Sequence, residues 1–168
     1  MDGNYLVGVY IRDLKALRRE LEAYPNEKDI WRLPPGISNS AGTLALHLAG
    51  SLRHMIGAVL GGSGYVRDRN AEFAKRDVSR ADLLAGIAVA IAELERARPH
   101  ITAAVLDAEF PQALAGHRVK AEELLIHFAA HCGYHLGQVD YHRRIVTGKG
   151  ETIGAMAIPE LATARKVE

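Results

Sequence analysis

The chain has 168 residues, a formal net charge of +1, 48% hydrophobic and 24% charged residues, ordinary proportions for one globular domain, read here as residues 1–168. A domain of this size buries roughly two-thirds of its unfolded surface and needs no covalent staples. Near-zero charge with no basic, aromatic-rich stripe argues against nucleic acid as a partner. Apolar runs broken by His, Arg or Glu argue against a membrane span, and the N-terminus has no signal-like run, so a cytoplasmic protein is expected.

In chain order, Leu6, Tyr10, Leu14, Leu17 and Leu21 repeat at steps of three and four and predict a first helix from Asn4 to Tyr24, stopped by Pro25. Residues 25–39, with Trp31, Pro34, Pro35 and Gly36, read as a loop, and Ser38, Asn39 and Ser40 are alternative caps for a second helix running to Leu60. Gly61-Gly62-Ser63-Gly64 ends that helix, and residues 61–78 form a polar connection too long for a hairpin. Ser79 with Asp82 opens a third helix carrying Leu84, Ile87, Ile91 and Leu94; Pro99 kinks it or begins a continuation through Leu106. After a loop over residues 107–118, the fourth long helix spans Lys120 to Val146, with Glu122 and Glu123 in its first turn and Gly148 and Gly150 beyond its end. The tail around Pro159 has enough apolar pattern for a short C-terminal helix. No segment alternates with the period of a strand, so the expected fold is all-α, a four-helix bundle with long connections.

The fourth helix carries the chemistry. His131 and His135 are four residues apart, which puts both imidazoles on one face, a turn apart, where they can share an ion. An open, reactive metal site needs a third protein ligand, and His47 on the second helix is the candidate. His127, His131, His135, Gln138 and His142 fall within a sector of about 80° at helical period, a stripe expected to face inward. The competing reading makes these hydrogen-bonded core histidines with no metal. Cys132 is the single cysteine, so no disulfide or cysteine cluster is available, and it lies about 100° round the helix from His131, where a buried filler is expected.

Two segments, Gly42-Thr43-Leu44-Ala45-Leu46-His47-Leu48-Ala49 and, some eighty residues on, His131-x-x-x-His135-x-Gly137-Gln138, resemble the DinB-like superfamily, which includes YfiT-type metal-dependent enzymes and bacterial thiol transferases. The resemblance runs from Asn4 to Val146. It implies a four-helix bundle, frequently a homodimer, with a three-histidine site for nickel, zinc or another divalent ion such as manganese or iron. The family ligands fall on His47, His131 and His135. Gln138 matches the glutamine after the last ligand and either orients a ligand or packs between helices; Gly137 is expected to let a helix approach closely. Tyr65 to Phe73, including Arg67 and Glu72, looks like a subfamily signature of unassigned chemistry.

Of the other histidines, His54 is seven residues from His47, about 10 Å along the helix, and is expected to support the site or an interface rather than ligate. His127 is the alternative ligand, His142 is structural or lines the pocket, and His100 and His117 face solvent. Three imidazoles leave coordination positions open for water or a thiol, and the resemblance implies, as the expected function, transfer of a low-molecular-weight thiol to a small-molecule electrophile through a metal-activated thiolate. The alternatives are a hydrolase using metal-bound hydroxide and a noncatalytic metal- or ligand-binding protein. The hydrolase ranks second because no carboxylate is placed by spacing beside the histidines.

Overall fold

The computed structural model describes residues 2–167. Among them there are helices and no strands. The helix α1 (Gly3–Glu22) begins where Asp2 Oδ1 accepts from the Asn4 amide, and it buries Leu6, Val7, Tyr10, Leu14, Leu17 and Leu21 along one face. A short 3-10 turn (Glu27–Trp31) follows. The helix α2 (Ala41–Leu52) is capped by Ser40, one of three expected caps, whose hydroxyl accepts from the Thr43 amide. α4 (Arg80–Ala97) begins at Ser79 and Asp82 in reciprocal contact, as the sequence predicts. α6 (Ala121–Thr147) ends at Gly148, whose φ of 68° lets its amide reach back to the Arg144 carbonyl.

These four long helices make the bundle: α1 packs on α6 and α4, and α2 packs on α4 and α6. A continuous core through Tyr10, Leu14, Leu17, Ile56, Ile87, Leu94, Leu125 and Val139 joins them. Arg143, almost fully buried, pairs with Glu20 of α1 and with Asp140 and fixes α6 against α1. Burial pushes the Glu20 carboxyl up to about 7, because the second carboxylate at Asp140 offsets the help from Arg143.

Some local features go beyond the sequence reading or depart from it. Residues 53–60 continue α2 as a π-helix (Arg53–Leu60), with Arg53 in a two-pronged ion pair with Glu93 of α4 and stacked on the Tyr65 ring. The connection over residues 61–78 contains a short helix, α3 (Arg69–Ala74), capped by Asp68 and packed on α2. Beyond α4, Pro99 lies in a 3-10 turn (Arg98–His100) followed by the separate α5 (Ala103–Asp107), capped by Thr102, so of the two expected alternatives it begins a continuation, in two short pieces. The expected C-terminal helix is a single 3-10 turn, Ile158–Glu160. Helix Ala41–Leu60 is, against expectation, long and apolar enough to cross a bilayer by length and composition, although most of its apolar window is buried in the bundle.

Candidate metal centre

α2 lies against α6 so that His47, His131 and His135 converge. His47 is buried, and the other two are half-buried at the edge of the bundle. One nitrogen from each lies within 4.8 Å of the others. His47 Nε2 and His131 Nε2 are 3.2 Å apart. Two nitrogens bound at about 2.05 Å to one tetrahedral ion would stand about 3.3 Å apart, so this spacing suits a shared ion.

The back of each ring decides which nitrogen faces the cluster. His47 Nδ1 is 3.1 Å from Glu72 Oε2. A carboxylate can only accept, and Arg67 Nη2, though 3.2 Å from the same Nδ1, donates to that carboxylate at 2.7 Å, so the Glu72 contact calls for the proton on Nδ1 and leaves the Nε2 lone pair for the cluster. Glu72 is itself clamped by Arg67, Nε to Oε1 at 2.7 Å and Nη2 to Oε2 at 2.7 Å. Burial alone would raise the Glu72 carboxyl, but Arg67 and His47 together hold it below the usual range. The Phe73 ring lies 4.9 Å from that of His47. Gly50 leaves the room this brace occupies: a Cβ there would run into the Glu72 carboxylate. On the other side, His135 Nδ1 donates to Gln138 Oε1 at 2.7 Å, which frees its Nε2 as well. His131 Nδ1 is buried with no protein partner.

Burial, then the neighbouring His135 and His47, push His131 down to about 4, and burial also lowers His135. Both rings are thus neutral near pH 7, the form that ligates a metal. Three imidazoles, two of them held from behind by a hydrogen bond to Nδ1, are a donor set that suits a borderline divalent ion. A stability consequence follows for the metal-free protein. Folded His131 titrates near 4 and its unfolded counterpart near 6.5, so as pH falls between those values the unfolded chain takes up the proton first and stability is lost. The melting temperature of the wild type is expected to drop relative to that of His131→Asn between pH 6.5 and 4, and parallel curves would refute the depressed value.

The remaining sequence candidates scatter. Gln138 is exposed, and its Oε1 accepts from His135 Nδ1. His127 is exposed, 6.5 Å from His131 by ring centroids, and outside the cluster. His54 donates from Nε2 to Gln112 Oε1 on the loop before α6, away from the triad. His142 is buried and structural: Tyr24 donates its hydroxyl to Nδ1, and Nε2 donates to the Arg32 carbonyl, both at 2.7 Å. His100 and His117 are exposed, and Cys132 is buried, its thiol driven upward by burial.

Three expectations need correction. The histidine stripe does not face inward: its sector straddles the edge of the apolar stripe of α6, leaving only His142 buried and His127 and Gln138 in solvent. Gly137 meets no neighbouring helix, for a Cβ there would touch nothing within 4 Å. A carboxylate does stand beside the histidines. Glu72 comes from α3, 25 residues after His47, and its only trace in the sequence is the unassigned Tyr65 to Phe73 segment.

A family model described as the DinB superfamily matches residues 10–139, a stretch that includes all three clustered histidines and the Arg67 and Glu72 brace. No curated protein and no solved structure matches the chain.

Proposed function

The chain belongs to the DinB superfamily, and from that footing we propose that it is a metal-dependent enzyme transferring a low-molecular-weight thiol to a small electrophile. His47, His131 and His135 hold the ion, with nickel or zinc as the first choice and manganese or iron as alternatives. The observation that carries the reading is the three-imidazole cluster, braced from behind and half open in front. An ion held by three imidazoles supplies a Lewis acid with open positions, which acidifies a thiol. The protein's own groups do the rest. Glu72 and Gln138 keep protons on the outer nitrogens of His47 and His135, so both lone pairs point to one place.

In the transfer the sulfur lone pair forms the new S–C bond. A C–O bond of the acceptor, as in an epoxide, breaks onto oxygen, and the thiol proton ends there, so no further reactant is consumed. A hydrolase would instead need a carboxylate free to take a proton from water. Glu72 is committed to Arg67 and to the proton on His47, which supports transfer over hydrolysis. A noncatalytic ion would be favoured by a fourth protein ligand, and among the described residues the cluster has three members.

The reading predicts that chelator-stripped protein is inert and that reloading with nickel, zinc or manganese restores consumption of a thiol in the presence of an epoxide. Thiol loss followed over time with a panel of low-molecular-weight thiols checks this. No metal-dependent turnover with any of them sinks the transferase.

A further inference from the structure

A cavity of about 220 Å³ opens beside the cluster, between the loop over residues 36–39, Leu44 of α2 and the outer part of α6. Gln138 belongs to both: its amide oxygen holds His135, and the same side chain walls the cavity. Leu44 precedes His47 by three residues and Gln138 follows His135 by three, so two of the cavity's wall residues stand about one helical turn along the chain from clustered histidines. Its walls contain no Asp, Glu, Lys or Arg. The one titratable ring with a basic nitrogen, His142, is held neutral with Nδ1 accepting from Tyr24 and Nε2 donating to Arg32. Charged ligands would therefore enter without a counter-ion, at a desolvation cost that nothing there offsets. Ile37, Leu44, Tyr141 and Ile145 offer apolar surface, while Ser38, Asn39 and Gln138 offer hydrogen bonds.

We propose that this cavity binds the electrophilic substrate, an uncharged molecule of on the order of ten non-hydrogen atoms with an aromatic or branched apolar group, and aims its polar end at the metal centre across Gln138. The inference rests on the proposed metal centre. Low-molecular-weight thiols commonly carry charged groups, so the neutral cavity suits the acceptor and leaves the thiol to arrive from the open, solvent side of His131 and His135. Ile37 and Ile145 set the specificity for the apolar group.

The test uses cobalt(II)-loaded protein and two probes that ligate a metal alike, imidazole and 4-phenylimidazole, titrated while the visible cobalt spectrum is followed. The phenyl group should reach the cavity, and 4-phenylimidazole is expected to bind at least about tenfold more tightly than imidazole, a gain consistent with burying part of one ring. Imidazole-4-acetate, of similar reach but anionic, should show no gain. Ile37→Asp and Ile145→Asp, at positions 38% and 54% exposed and so able to carry a charge in the folded chain, should bring the ratio close to one. Val89→Asp, on the exposed face of α4, should leave it unchanged. Equal affinities in the wild type, a gain retained in both isoleucine variants, or no spectral response to either probe overturns the cavity assignment. Failure of the wild type to bind cobalt at all is a different result and overturns the metal centre itself.

Discussion

Alanine in place of His47, His131 or His135 is expected to abolish stoichiometric metal binding, whereas His100→Ala, an exposed change, should leave it intact. The reason is ligand number. Three imidazoles are the minimum for an open protein site, and a pair offers an ion little more than a surface histidine pair does. Loss of at least about a hundredfold in affinity is the expected scale for removing one of three ligands, above the range set by the groups behind them. Metal analysis after exhaustive dialysis, one equivalent against none, reads this directly. His131 and His135 are half-buried, so their truncation leaves small voids, and both variants should melt close to the metal-free wild type. His47 is 7% exposed and supports Glu72, so His47→Gln, of similar reach, accompanies the alanine variant as a fold control. Full retention of metal by any one of the three alanine variants would refute the ligand assignment.

What could be read from the sequence follows from what is local. His131 and His135 meet because the helix repeat fixes their relation whatever surrounds them, and Ser79 and Asp82 cap α4 within their own turn. The bundle was legible for the same reason, since each long helix carries its own apolar stripe. Glu72 was not, because α3 is only six residues long and carries no period that would distinguish it from loop; its position is set by packing on α2 and by the space at Gly50. The π-helix at Arg53–Leu60 has the apolar spacing of an ordinary helix, and its changed hydrogen-bond register accompanies the distant Arg53 and Glu93 pair. The direction of the histidine stripe also escaped, because periodicity fixes which residues share a sector but leaves the sector's distance from the core to the neighbouring helices.

Removing the brace should weaken the centre without emptying it. Glu72→Ala is expected to lower metal affinity by about ten- to a hundredfold, the usual scale for a group that orients a ligand from behind. Two losses combine: His47 no longer has its proton held on Nδ1, so the tautomer with Nε2 protonated competes with the metal, and Arg67 is left as an unpaired, half-buried cation near the cluster. Glu72→Gln separates them. Its amide oxygen can still accept from His47 Nδ1–H, yet it presents no charge to Arg67, so an intermediate affinity is expected. Arg67→Gln, which removes the clamp and leaves the carboxylate against His47, should fall nearer the wild type. Competitive chelator titrations measure all three, alongside melting of the metal-free proteins. If Glu72 served only to dock α3 on α2, Glu72→Ala would lower the metal-free melting temperature and leave the metal affinity of the folded protein unchanged. A drop in affinity that follows the loss of the His47 contact, in the order alanine, glutamine, then Arg67→Gln, is what a positioning carboxylate requires, because only the first of these variants leaves Nδ1 without an acceptor.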